Sequence, residues 1–311
     1  MKAILFSEYG PADVLHLADV PPPTIKPNEV LIEVKAVSVN PLDWKIRAGY
    51  MAPIFGPQFP KRVGSDVAGI IREVGKDVSN YTPGDEVYGM VNPFGGQPGS
   101  FAEQIALPAN QVSDKPTAMT FAEAASVPVV GLTALQGLLN QAGLVAGETV
   151  LVNGASGGVG IFAVQIAKIL GATVTAVCST ANVETVRQLG ADTVLDYTQM
   201  NVLEEAGSFD LVFDAVGKWA FSDAIKLVDD DGRFLTTNPS PENMALTETE
   251  EQLIITTVTP NRHDLMLLTL WINSGQLKTV IDSTFALSDV ADAHRRSETG
   301  RVVGKVVVTV G

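Results

Sequence analysis

The stretch that most constrains this chain is residues 148–168, where the hydrophobic pattern changes period midway. The continuous apolar run Val150-Leu151-Val152 gives way to apolar residues at helical spacing, which predicts a strand, a tight turn and a helix. Between the two periods stand Gly154, Gly157, Gly158 and Gly160. Side chains at such positions would stop a backbone from closing on a pyrophosphate, or a helix from packing on its strand. The helix would therefore open with bare N–H groups and the positive end of its dipole facing an anion. A glycine turn between strand and helix can also be no more than a turn. The spacing Ala155-x-Gly157-x-x-Gly160 gains weight because a strand precedes it and a second predicted strand, 172–177, follows the helix. Ala155 stands where the usual fingerprint has its first glycine.

With 311 residues the chain has room for two domains. Its 21 basic against 35 acidic residues leave a net charge of −14, which would repel a polyanion. No nucleic-acid partner is expected, and any anionic ligand must be held by local donors. Cys178 is the only cysteine, and His16, His263 and His294 are scattered without ligand spacing. A four-cysteine zinc site and a disulfide framework are excluded, and no metal site is expected. One thiol and no secretory leader suggest a reducing, cytoplasmic setting. The longest apolar stretch, 127–139, is broken by Pro128, Gly131, Thr133, Gln136 and Gly137, so no membrane span is expected.

Residues 1–120 read as short strands (2–7, 29–39, 67–74, 86–90 and 100–106) separated by turn chemistry such as Thr82-Pro83-Gly84-Asp85, a pattern that suggests a small barrel. From Thr120 the pattern turns helical (121–126, 129–141). Strands and helices then alternate: strands at 172–177, 193–195, 209–215, 233–237 and 252–259, helices at 182–189, 219–228 and 263–273. Such alternation implies right-handed crossovers and a parallel sheet buried on both faces. The acidic run Asp229-Asp230-Asp231 reads as a solvated turn. The tail returns to strand, helix and strand (279–287, 288–298, 301–310), and is expected to complete the first domain and leave a cleft between the two. The expected division is 1–124 with 276–311, and 125–275.

Several landmarks, taken in order, resemble one family almost end to end. They are Asn40-Pro41-Leu42-Asp43-Trp44-Lys45, Gly64-Ser65-Asp66-Val67-Ala68-Gly69, Pro83-Gly84-Asp85-Glu86-Val87, Gly131-Leu132-Thr133-Ala134, the glycine turn 154–160, Leu189-Gly190-Ala191-Asp192 and Gly304-Lys305-Val306-Val307. The chain resembles the zinc-free quinone oxidoreductase group of the medium-chain dehydrogenase/reductase superfamily. The resemblance implies an α/β protein with a GroES-like β-barrel domain and a doubly wound Rossmann domain that binds a dinucleotide. Where zinc-dependent alcohol dehydrogenases of the family carry a ligand cysteine, this chain has Asn40; where they have Gly-His-Glu it has Gly64-Ser65-Asp66. Without a Lewis acid to deprotonate an alcohol, hydride transfer to a quinone or an electron-poor double bond is the expected chemistry.

A site that prefers NAD places Asp or Glu at the end of the second strand, on the ribose diol. Here that strand ends Val177-Cys178-Ser179-Thr180-Ala181-Asn182, with hydroxyl and amide groups in place of a carboxylate, so NADPH is the expected cofactor. Ser179, Thr180 and Asn182 equally suit a helix cap. The resemblance places Asn182 where some relatives have a basic residue, and Tyr197 where a tyrosine faces the 2′-phosphate. The remaining expected cofactor contacts are Ala155, Ser156, Gly157, Gly158 and Val159 in the turn, Val216, Thr236 and Thr237 at the ends of later strands, and Thr133 beside the nicotinamide.

Hydride addition to the β-carbon of an enone leaves an enolate that needs a donor at its oxygen and a proton at the α-carbon. The family reading offers Asn40, Lys45 and Tyr50 for these tasks. Each has a plainer alternative: a turn residue, a solvated amine and a pocket wall. A quinone acceptor would need only to be positioned, with water supplying protons. The expected partner is thus a small quinone or enone, and a homodimer is expected. A reductase of enoyl thioesters and a non-catalytic NADPH-binding protein are the alternatives.

Overall fold

The computed structural model describes all of residues 1–311. Contacts divide the chain into two units: Met1–Val129 with Thr259–Ser274 and Ile281–Gly311, and Val130–Val258 with Gly275–Val280. The helix Arg262–Asn273, expected with the nucleotide domain, groups with the barrel unit, where the Tyr88 hydroxyl donates to Leu265 O at 2.6 Å.

The first unit is built on a curved sheet with the strand order Ile281–Ala286, Lys305–Thr309, Glu29–Val39, Asp66–Val74, Glu86–Met90 and Val112–Asp114, with Gln104–Pro108 also paired to Glu29–Val39. All pairs are antiparallel except the first, where the two tail strands run parallel. Alternate residues of Glu29–Val39 (Val30, Ile32 and Val34) face a core shared with Ile71, Val87, Ile105, Leu107 and Val308. The tail therefore completes the barrel, and Val306 pairs with Val39 across it. The strand expected at 100–106 lies at Gln104–Pro108, and His16–Asp19 and Val112–Asp114 are too short to stand out in the sequence.

The second unit holds six parallel strands in the order Thr193–Asp196, Thr173–Cys178, Thr149–Asn153, Phe209–Asp214, Val228–Thr236 and Leu253–Ile255. In chain order this is 3-2-1-4-5-6, and the direction of winding reverses between Thr149–Asn153 and Phe209–Asp214. Leu151, Val212, Phe234 and Leu253 form part of its buried core. The acidic run is not a turn. Asp229, Asp230 and Asp231 lie within Val228–Thr236, where the pairing jumps from Phe209↔Val228 to Leu211↔Arg233 and the extra residues bulge outward. The Gln252 amide ties this bulge down by donating to the carbonyls of Asp229, Asp230 and Gly232. The helix expected over 219–228 shrinks to Phe221–Ala224 and one tighter turn, and the strand expected over 252–259 to Leu253–Ile255. No helix is long and apolar enough to cross a membrane.

Candidate active site

The first strand of the parallel sheet ends at Asn153, and the helix Gly158–Ile169 begins at Gly157. Gly154 takes φ +77°, a conformation that L side chains rarely adopt, and a Cβ there would lie 2.2 Å from Val216 Cγ2. At Gly160 a Cβ would come within 2.1 Å of Gly154 O, so this glycine serves the packing of helix on turn. Gly157 differs: the only atom near its missing Cβ is Gly154 O at 3.3 Å, which leaves open space above the first turn of the helix. The leading N–H groups of any helix lack intrahelical acceptors, so Gly158 and Val159 supply donors at the positive end of the dipole. This cradle of amides, open above Gly157, fits the pyrophosphate of a dinucleotide.

Two of the expected contacts are redirected. The Ala155 side chain is fully buried and its N–H donates to Val177 O at 3.0 Å, so it builds the turn and offers nothing outward. Thr236 is fully buried too, its hydroxyl accepting from Asn238 N at 3.2 Å, whereas Thr237 is only half-buried. Val216 remains 45% exposed over Gly154, and Thr133 lies nearly buried in the helix Pro128–Leu135. The loop carrying Val216 is organised by the residue that ends the fourth strand. Asp214, fully buried, accepts from the Asn153 amide at 2.8 Å and from the N–H groups of Val216, Gly217, Lys218 and Trp219.

After the second strand, Asn182 does not reach outward. Its amide donates to Ser156 Oγ at 3.0 Å and to Ser179 Oγ at 3.3 Å, and so ties the glycine turn to the adjoining loop. Tyr197 is 53% exposed. Thr180 donates its hydroxyl to Asp196, which the sheet pairs directly with Cys178. The second strand ends without a carboxylate, as read from the sequence, but its neighbour supplies one beside the same loop. Hydrogen bonds from Thr180 and then Thr198 hold the Asp196 carboxyl below the usual carboxylate range. Cys178 is no nucleophile: burial pushes its thiol up to about 11.

In the barrel unit three neighbouring strands bring their ends together. Asn40 follows the strand Glu29–Val39, Asp66 opens Asp66–Val74 and Lys305 opens Lys305–Thr309. All three side chains are buried. Asn40 Nδ2 donates to Asp66 Oδ2 at 2.7 Å, while Lys305 Nζ donates to Asn40 Oδ1 at 2.5 Å and to Val39 O at 3.1 Å and lies 3.5 Å from Asp66 Oδ2. Ser38 Oγ and Val129 N add further donors to Asp66. Behind them Asp43 accepts from Asn40 N at 2.8 Å, Gly64 N at 3.1 Å and Ser65 Oγ at 3.0 Å. Burial, with Asp66 nearby, pushes its carboxyl up to about 7. Burial likewise lowers Lys305, opposed by Asp66 and Asp43.

Of the three residues expected to act on the acceptor, only Asn40 belongs to this cluster. Lys45 is exposed, its Nζ 5.8 Å from the centre of the Trp44 ring, and Tyr50 is 75% exposed with its ring edge-on to Trp44. Lys305 was visible only as part of a terminal motif; 265 residues separate it from Asn40, and no local pattern couples them.

Residues 26–117 match the alcohol dehydrogenase GroES-like domain, and residues 189–308 match the zinc-binding dehydrogenase family. The chain is 38% identical to the chloroplast envelope quinone oxidoreductase homolog of Arabidopsis thaliana, over 99% of this chain and 98% of that protein. It belongs to the medium-chain dehydrogenase/reductase superfamily.

Within that superfamily, the NADPH-dependent alkenal/one oxidoreductase of Arabidopsis thaliana is also 38% identical, over 99% of this chain and 79% of that protein. The structure of the quinone oxidoreductase from Coxiella burnetii superposes with a TM-score of 0.92 at 34% identity, covering 100% of this chain and 99% of that one. Membership makes this medium-chain reductase an oxidoreductase that uses a nicotinamide cofactor. The zinc named by one matching family does not suit the residues here. Asn40, Ser65 and Asp66 are an amide, a hydroxyl and a carboxylate, Asn40 already bonded to Asp66 and Ser65 to Asp43, and a lysine ammonium supplies the positive charge among them.

Proposed function

We propose that the chain is an NADPH-dependent reductase that transfers hydride, without zinc, to a quinone or an α,β-unsaturated carbonyl. The observation that carries this reading is the open cradle at Gly157, with the leading amides of Gly158–Ile169 above it. When bound, the nicotinamide supplies the hydride. The protein's tasks are to grip the pyrophosphate at 157–159, to receive the 2′-phosphate on Ser179, Thr180 and Tyr197, and to polarise the acceptor. Asp196 lies beside those hydroxyls and repels a phosphate, so the preference for NADPH over NADH is expected to be modest.

On the acceptor side, Asn40 is the one candidate whose donor is held in a desolvated setting, where a hydrogen bond to a developing enolate oxygen counts most. Lys45 and Tyr50 lie in solvent, so the proton that completes an enone reduction comes from water. A quinone requires only hydride and solvent protons, which this arrangement also meets. We further propose that two copies associate through the edge strand Leu253–Ile255, which light scattering would show as a doubled mass.

The test is oxidation of NADPH and of NADH followed by absorbance, with a panel that holds a quinone, an α,β-unsaturated aldehyde and an enoyl thioester. Turnover of the quinone or the aldehyde with NADPH favoured is the expected result. Turnover of the thioester alone would move the substrate class to carrier-bound acids. Stabilisation by NADPH with no turnover of any acceptor would make the chain a binding protein.

A further inference from the structure

We propose that Lys305 is a positioning residue that fixes and polarises the Asn40 amide. This rests on the reading that Asn40 acts on the acceptor. A carboxamide is nearly symmetric in shape, and its two ends exchange by a half-turn about one bond, so a functional Asn needs something that tells oxygen from nitrogen. Here both ends are specified. An ammonium can only donate, so the atom facing Lys305 Nζ must be Oδ1; an ionised carboxylate can only accept, so the atom facing Asp66 Oδ2 must be Nδ2. Turning the amide over would set Nδ2 against the ammonium and Oδ1 against the carboxylate, two repulsions in an interior that screens poorly.

The same two contacts draw charge along the amide. Lys305 pulls electron density toward Oδ1 and so makes the Nδ2 protons better donors; one of them is spent on Asp66, and the other is left for the acceptor. Lys305 is a cation set against both Asn40 and Asp66, but it works on the acceptor only through Asn40. A lysine kept solely to neutralise Asp66 would need no bond to Asn40.

The experiment is a double-mutant cycle on the full-length protein with the acceptor that the wild type turns over best. Lys305→Met keeps the length of the side chain and removes the charge; Asn40→Ala removes the amide; the third variant carries both. Lys305→Met is expected to lower kcat by about 10²-fold, with the KM for NADPH little changed, because a misaligned donor costs rate and not cofactor binding. In the Asn40→Ala background the same replacement is expected to change kcat by less than about twofold. Equal losses in both backgrounds, or a Lys305→Met enzyme with wild-type kcat, would overturn the proposal.

Because Lys305→Met leaves Asp66 buried without its counter-charge, Lys305→Met/Asp66→Asn is made alongside it to keep the interior neutral. This variant should melt like the wild type and remain slow; wild-type kcat in it would equally refute the role of the lysine. Asn40→Ala with full kcat would remove both the donor reading and the positioning claim. If the wild type turns over no acceptor, the carboxamide resonances of Asn40 in ¹⁵N-correlated NMR, assigned by their loss in Asn40→Ala, still decide the matter. They should be dispersed and slow to exchange in the wild type and solvent-like in the neutral double variant, and no change between the two would defeat the proposal.

Discussion

Replacing His294 with leucine is expected to tilt the dependence of stability on pH between about pH 4 and pH 6.5. His294 is fully buried in the barrel unit, and burial, with Arg47 adding to it, presses its ring down to about 3. An unfolded chain binds a proton on that ring below ~6.5 and the folded one does not, so this contribution to stability is full above ~6.5 and is lost as the pH falls toward 3. Asp43, in the same unit, works the other way. Its carboxyl is held up to about 7, so between ~3.9 and 7 the folded chain keeps a proton that the unfolded chain has released. Its contribution is full below ~3.9 and is lost as the pH rises through 7. Over the shared window of ~2.5 pH units each group changes stability by ~3 kcal/mol, at ~1.36 kcal/mol per unit, with opposite signs. In the wild type the two contributions therefore oppose each other there. His294→Leu leaves Asp43 alone and should lose ~3 kcal/mol between pH 4 and 6.5, while Asp43→Asn should gain a similar amount over the same range. Urea unfolding of the three proteins at intervals of half a pH unit, followed by the fluorescence of Trp44 and Trp271, measures the slopes. Parallel profiles for the wild type and both variants would refute the opposition.

Three other outcomes follow from the geometry. Gly160→Ala forces a methyl to within 2.1 Å of Gly154 O and should abolish soluble expression, whereas Gly157→Ala, at 3.3 Å from the same oxygen, should fold and bind NADPH about tenfold more weakly by fluorescence titration. Lys45→Met should keep kcat within about twofold, because its ammonium sits in solvent over Trp44; a large loss would restore it as a proton donor. Dialysis against a chelator should leave both kcat and Tm unchanged, since no group of three or more His, Cys, Asp or Glu side chains stands ready to hold a metal ion.

The parallel sheet was legible because its strands are buried on both faces and so appear as apolar runs, with glycines marking the one turn that must approach a ligand. The barrel was legible only in outline: its shorter strands, such as Val112–Asp114, are fixed by neighbours that lie far away in sequence. The run Asp229-Asp230-Asp231 misled because three acids announce solvent, and a bulged strand meets that demand as well as a turn does. Among candidate site residues, the open position at Gly157 belongs to a turn marked by local spacing. Asp196 was not so marked, because it reaches the loop after the second strand through its pairing with Cys178, and the amide-binding role of Asp214 was not, because a carboxylate that binds backbone amides leaves no pattern around itself. Ala155 and Thr236 were expected as cofactor contacts and their side chains are buried, since a position in a motif does not say which way a side chain turns.

Lys305 reaches Asn40 from a strand that pairs beside residues translated hundreds of codons earlier. In the order of synthesis, residue 280 completes the nucleotide-binding unit while the interior cation of the barrel is still to be added. Every residue of the proposed grip on a dinucleotide is thus in the chain before the acceptor side is wired. Clipping the last strand from the mature protein would return it to that half-finished condition, able to hold a reductant and unable to direct it.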